Sequence, residues 1–177
     1  REMCNDGMMD RWGIDEVYGM HNWPGLPVGE FSIRAGTFFA ATDLLKVEFE
    51  GRGGHAAKPQ ETVDTLLMAA HAVTALQSIV SRNADPIDRV VLSITSFATS
   101  SNAFNVIPQK VEILGTVRTT SIEMQDLVES RVKEVCEGVA NTFGGISKVD
   151  YNRNYPAMVN STEQTAFAKD VACKISG

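Results

Sequence analysis

From residue 42 onward the apolar and polar positions fall into regular rhythms. Leu45, Val47 and Phe49 alternate with Lys46, Glu48 and Glu50, the period of two that marks a half-buried strand. Gly51-Arg52-Gly53-Gly54 closes that run. Between Thr62 and Arg82 the period lengthens, and Val63, Leu66, Leu67, Ala70, Val73 and Val80 share one face of a predicted helix. Asp85-Pro86 breaks the pattern, and Val90, Leu92 and Ile94 alternate with Val91, Ser93 and Thr95 in a second strand. After a turn at Ser100-Ser101-Asn102, a third strand over about 110–118 turns Val111, Ile113 and Val117 inward and Glu112, Thr116 and Arg118 outward. Ser121 reads as an N-cap for a helix from Ile122 to Phe143 through Val128, Val132, Val135 and Val139, closed by Gly144-Gly145. A fourth strand, Lys148 to Tyr155, places Val149, Tyr151 and Tyr155 inward, and 162–175 reads as another helix.

The order strand, helix, strand, strand, helix, strand is the split βαβ, or ferredoxin-like, pattern. It predicts an α+β domain with a four-stranded antiparallel sheet and two helices on one face. Before it, residues 1–12 read as the end of a helix with a stop signal at Asn5-Asp6-Gly7. Val17 to Met20 reads as a short strand ending at His21, and Trp23 to Gly29, dense in Pro and Gly, as a loop. Residues 30–41 read as a connecting strand or linker. The strand from Val90 to Phe97 holds no Lys, Glu or Pro, so as a sheet edge it is poorly protected against pairing with another chain.

Composition narrows the function. The 177 residues are 44% hydrophobic and 21% charged, an ordinary globular balance. A net charge of −6 and the lack of a dense basic run argue against nucleic acid as a partner. Outward Lys46, Glu48, Glu50 and Glu112 argue against an RNA-binding sheet face. No apolar run reaches the ~20 residues of a membrane span. Cys4, Cys136 and Cys173 are odd in number and widely spaced, which fits a reducing compartment and points to the cytoplasm.

Three histidines are candidates for chemistry, and for each an exposed or hydrogen-bonded ring without a chemical role is the competing reading. His21 sits where a strand meets a loop, a position from which a ring can reach a metal, although zinc needs three or four ligands. His55, within Gly53-Gly54-His55-Ala56-Ala57, is presented by a turn whose glycines allow close approach, and it could donate to a developing oxyanion. His71 lies inside the first long helix, where a surface histidine is the commoner outcome. Asn105, before the third strand, and Arg118, at its outward end, could grip a carboxylate; a solvated Arg and a turn-forming Asn are the commoner outcome for such residues.

Four motifs in register carry a resemblance over nearly the whole chain. Tyr18-Gly19-Met20-His21-Asn22-Trp23-Pro24 with Leu26-Pro27-Val28-Gly29 comes first, followed by Gly53-Gly54-His55-Ala56-Ala57-Lys58-Pro59. Asn105-Val106-Ile107-Pro108 and Gly115-Thr116-Val117-Arg118-Thr119 complete the set. In them the chain resembles the zinc-dependent amidohydrolases that include hippurate hydrolase, auxin-conjugate hydrolases and N-acetyl-diaminopimelate deacetylase. The resemblance implies a lid and dimerisation domain over 42–156. Residues 1–41 would then be the tail of a first catalytic segment, and 157–177 the start of the return to an α/β catalytic domain.

The resemblance further implies His21 as a metal ligand, His55 as the lid's catalytic group on the substrate carbonyl in the partner's site, and Asn105 and Arg118 on the substrate carboxylate. The reaction would be metal-assisted hydrolysis of N-acyl amino acids by a homodimer, with zinc, or manganese or cobalt, as the divalent metal. The family's Cys-x-His motif, paired glutamates and C-terminal histidine have no counterpart in this sequence. The chain is therefore expected to be a piece of such an enzyme, inactive alone and unable to hold the metal. The alternative is a stand-alone dimerisation or small-molecule binding module of the same fold.

Overall fold

The computed structural model describes residues 2–176; Arg1 and Gly177, the outer ends of the two expected flanking segments, lie outside the described residues. Ile33–Lys169 forms one compact unit, and a second takes in the residues up to Ser32 and from Asp170 onward. In the second unit, helices α1 (Glu2–Asn5) and α2 (Met8–Trp12) are separated at Asp6-Gly7, where the sequence carries its stop signal. The expected strand at Val17–Met20 is not formed: these residues lie outside every strand of the described chain.

The larger unit opens with β1 (Gly36–Phe39) and continues into β2 (Thr42–Glu50) and the two-residue β3 (Gly54–His55). Then come α3 (Thr65–Ser78), β4 (Val90–Thr99), the two-residue β5 (Val106–Ile107) and β6 (Lys110–Thr119). It continues with α4 (Ile122–Thr142), β7 (Ile146–Tyr155) and β8 (Met158–Asn160), and enters α5 (Thr162–Ser176). Strands β4-β6-β2-β7 make one sheet in that order, antiparallel throughout, with β4 and β7 at the edges. This is the expected split βαβ topology. β1 pairs with β8, so the two connections to the sheet run side by side.

The core lies between the inner sheet face and the two helices. Leu45, Val47, Phe49, Val111, Ile113 and Val117 from the central strands pack with Met68, Ala72 and Leu76 of α3 and Val128, Val132 and Cys136 of α4. The helix caps are those a short polar side chain provides: Asp64 Oδ1 accepts from the N–H of Leu66 and Leu67, and Ser121 Oγ accepts from that of Met124. Gly144, at φ 77°, ends α4 in the left-handed conformation.

Two inward assignments need correction. In α3 the buried stripe is Thr65, Met68, Ala69, Ala72 and Leu76, leaving Leu66, Leu67 and Ala70 exposed. The helix is apolar almost all round, so the period is readable but its phase is not. Tyr155 is exposed because β7 shifts register against β2 beside Asp43, which breaks the alternation before the strand ends.

Asp43 is a carboxylate at 0% exposure, opposite Arg153 across the β2–β7 ladder. Gln125 Nε2 of α4 donates to both of its oxygens (2.8 and 2.9 Å), and the Tyr151 hydroxyl of β7 donates to one (2.8 Å). Hydrogen bonds to a buried charge contribute about 1.5–3 kcal/mol each, so this cluster ties β2, β7 and α4 together at one end of the sheet.

Burial, reinforced by the Asp43 carboxylate, raises the Tyr151 phenol well above its ordinary 10.0. Burial alone pushes the Cys136 thiol from 9.0 up to about 12. Both groups keep their protons longer folded than unfolded, so above those ordinary values the unfolded state binds fewer protons and stability falls with pH. The contribution is complete below pH 9 and is lost as pH rises from 9 through about 12. Urea midpoints measured across this range should hold level to pH 9 and then decline, and Cys136→Ala should make the decline shallower whatever its starting stability.

Candidate functional site

His55 and Asn105 are brought together. β3 pairs with β5 with His55 opposite Val106, and the Ala56 N–H donates to the Asn105 carbonyl (2.9 Å). Glycines make this approach possible. A Cβ on Gly53 would stand 2.7 Å from the Ile107 carbonyl oxygen and 2.9 Å from the Gln109 nitrogen, and one on Gly51 would stand 2.5 Å from the Val63 carbonyl oxygen. The Thr65 hydroxyl donates to the Pro108 carbonyl (2.7 Å) inside the protein, fixing the same segment from below. The outcome is an anchored tip at one end of the sheet.

The His55 ring is exposed at that tip, and the Ala57 N–H donates to its Nδ1 (3.1 Å). With Nδ1 as acceptor, the proton of the neutral ring is on Nε2, which makes Nε2–H a donor directed away from its own loop. A donor so fixed can stabilise negative charge on a carbonyl oxygen without reorganising.

Arg118 is elsewhere. Its Nη1 donates to the Val117 carbonyl (2.9 Å) and to the Thr116 hydroxyl, which lays the side chain along the helix-free face of β6. Along β6 it lies eight residues from Lys110, where the tip segment enters, a span of about 26 Å at the usual rise per strand residue. Within one chain, Asn105 and Arg118 therefore cannot hold the same carboxylate. The remainder of that face carries paired charges: Lys46 with Glu112 (2.6 Å), and Lys110 with Glu48 and Glu50 (3.0 and 3.2 Å).

His21 belongs to the other unit. It is exposed, its Nδ1 lies 2.6 Å from the Asn22 carbonyl oxygen, and its ring meets Trp23 edge-on. Among the described residues no three His, Cys, Asp or Glu side chains converge, so these residues do not by themselves fit a metal ion. His71 is exposed on α3, as expected, with its ring against Phe143. Phe104, next to Asn105, was not marked by any periodicity; its only sequence signal is an aromatic residue inside a turn.

Residues 44–142 match the peptidase dimerisation domain family, M20 type. The chain belongs to that family. It is 43% identical over 142 residues to N-acetyldiaminopimelate deacetylase of Streptococcus uberis, covering 80% of the chain and 38% of that protein. It is 34% identical over its whole length to hippurate hydrolase of Campylobacter jejuni, covering 46% of that protein. The chain thus spans less than half the length of either relative. In structure it matches a protein from methicillin-resistant Staphylococcus aureus (TM-score 0.86, 31% identical, 97% of this chain and 45% of that one). It also matches a Bacillus subtilis dinuclear metal-binding peptidase of the M20 family (TM-score 0.74, 26% identical, 98% and 42%). The matched residues run from within β2 to the end of α4 and include the anchored tip.

The tip gives a direct test. Gly53→Ala should push its Cβ into the 107–109 backbone and destabilise the protein by about 1–3 kcal/mol, the usual cost of overpacking. Hydrogen exchange at the Ala56 amide should accelerate with it. Gly138→Ala, one turn before the end of α4 with nothing within 4 Å, should instead stabilise by about 0.5–1 kcal/mol and leave that amide unchanged.

Proposed function

We propose that this chain is the lid and dimerisation part, with flanking catalytic-domain segments, of a metal-dependent amidohydrolase that cleaves N-acyl amino acids of the hippurate kind. The observation that carries the reading is the bond from the Ala57 N–H to His55 Nδ1, which leaves Nε2 to act as a donor, on a glycine-anchored tip of a dimerisation-domain fold. Its chemistry is to donate to the amide carbonyl oxygen as charge develops there. Residues 42–156 form the lid, supported by the β1–β8 pairing that brings its entrance and exit together. Residues 1–41 and 157–177 lead from and back to the catalytic domain. His21 is one ligand of a divalent metal, zinc by preference. The described residues complete no metal site, so the role assigned to this chain's lid is the donor's alone, and the chain by itself is inactive. Its cysteines are free, which agrees with a cytoplasmic setting, and among the described residues no helix is long and apolar enough to cross a membrane.

A homodimer reconciles the distant site residues. β4 is an edge strand without Lys, Glu or Pro, whereas the opposite edge, β7, carries Lys148, Asp150 and Arg153. Beside β4, α3 exposes Leu66 and Leu67. Antiparallel pairing of two β4 strands about a two-fold axis would set the Val90 end of one against the Thr99 end of the other. Val90 lies opposite Thr119 and Thr99 opposite Val111, so Arg118 of one subunit would face the end that carries the partner's His55 and Asn105. One composite site would then hold the substrate carboxylate at Arg118 and the scissile carbonyl at the partner's His55.

Mass measured by light scattering across a dilution series should show a dimer of the 19.3 kDa chain that Leu67→Asp shifts towards monomer. A single species at 19.3 kDa at every concentration would exclude the interface. In a separate assay on N-benzoylglycine and N-acetyl amino acids with zinc, manganese or cobalt, the chain alone should give no turnover, while the protein expressed from its full reading frame should hydrolyse them. A full-length protein that binds but never cleaves them would favour the stand-alone binding module.

A further inference from the structure

Phe104 stands on the tip that carries His55 and Asn105, and its ring is fully exposed (108%). The segment holding it is internally bonded. The Thr99 hydroxyl donates to the Ser101 carbonyl (2.7 Å), the Ala103 N–H donates to Ser101 Oγ (3.2 Å), and the Val106 N–H donates to the Ala103 carbonyl (3.3 Å). On the other side of Phe104, the Asn105 carbonyl accepts from the Ala56 N–H (2.9 Å). The ring is therefore presented by a hydrogen-bonded turn, and in water it forfeits the burial that its apolar area would gain against a partner group.

We propose that Phe104 recognises the acyl half of the substrate, packing its ring against an aromatic or branched apolar acyl group while the neighbouring His55 Nε2–H donates to the carbonyl oxygen of the same amide. This rests on the amidohydrolase reading above and narrows it to N-aroyl and bulky N-acyl amino acids. The tip is suited to the neutral half of such a substrate. It offers a neutral donor and an aromatic ring; of the two cations three residues from His55 in sequence, Lys58 is paired with Glu61 (3.5 Å) and Arg52 lies before the tip, its backbone bonded to Val63. The carboxylate-bearing half has its cation in Arg118, at the far end of β6. An acetyl group presents only a methyl to the ring, so the ring contributes little to an N-acetyl substrate, whereas a benzoyl group covers it.

The test compares kcat/KM of the full-length, metal-loaded enzyme on N-benzoylglycine and N-acetylglycine. Phe104→Ala should lower the value for the benzoyl substrate about tenfold to a hundredfold, the range that burying an aromatic ring commands, and change the acetyl value by less than about threefold. Phe104→Leu should recover most of the benzoyl value. Equal losses on both substrates, or no loss on either, would overturn the assignment. So would a fall to monomer mass in Phe104→Ala, which would make the ring an interface residue. A wild-type enzyme that cleaves neither substrate overturns the amidohydrolase reading itself. One that cleaves them with a ratio unmoved by Phe104→Ala overturns only the role of the ring.

Discussion

The burial of one face of a single antiparallel sheet under two helices governs the remainder of this structure. Val47 and Phe49 on β2, with Val111, Ile113 and Val117 on β6, lose all contact with water against Met68, Leu76, Val128 and Val132. Their alternation commits every intervening residue to the other face, because a strand turns its side chains by period two and a slip of one residue would exchange the faces completely. Lys46, Glu48, Glu112 and Arg118 are thereby held on the open face, and the register that places them there is set from beneath.

The same constraint fixes where chemistry can be displayed. A covered face cannot bind a substrate and the central strands have no free edge, so the available places are the open face, the edges and the loops at the strand ends. Arg118 occupies the first. The β3–β5 tip occupies a strand end, and its precision derives from packing: Gly51 and Gly53 bring backbone against backbone at distances that no side chain could enter. Rigidity here is a matter of position rather than of regular structure, since β3 and β5 are only two residues each.

Asp43 shows a different solution at the other end of the sheet. A buried carboxylate is costly unless its oxygens are filled, and Gln125 and Tyr151 fill them from α4 and β7. The cluster lies where β2 and β7 shift register, two residues from the connection at Ala41. It thus locks the sheet beside the place where the chain enters it, and it does so by polar contacts that demand one geometry.

Much of this was legible in the sequence. Alternation at Leu45, Val47 and Phe49, the Ser121 cap and the Gly144-Gly145 stop suffice for element order and fold class, because local periodicity is a direct consequence of backbone geometry. Four spaced motifs indicated the family and drew attention to His21, His55, Asn105 and Arg118. Other features required the folded chain. The phase of α3 was hidden because Leu66, Leu67, Met68 and Ala69 are all apolar, and only the sheet beneath decides which of them is covered. The separation of Arg118 from Asn105 follows from the length of β6 between them, Asn105 preceding its start and Arg118 lying near its end, a distance that their nearness in sequence conceals. The tautomer of His55 and the exposure of Phe104 depend on bonds from Ala57 and Ala103 that no residue pattern encodes. The sequence determined the elements and the residue types that could act; the tertiary structure decided their facing and their company, because those are set by contacts between residues far apart along the chain.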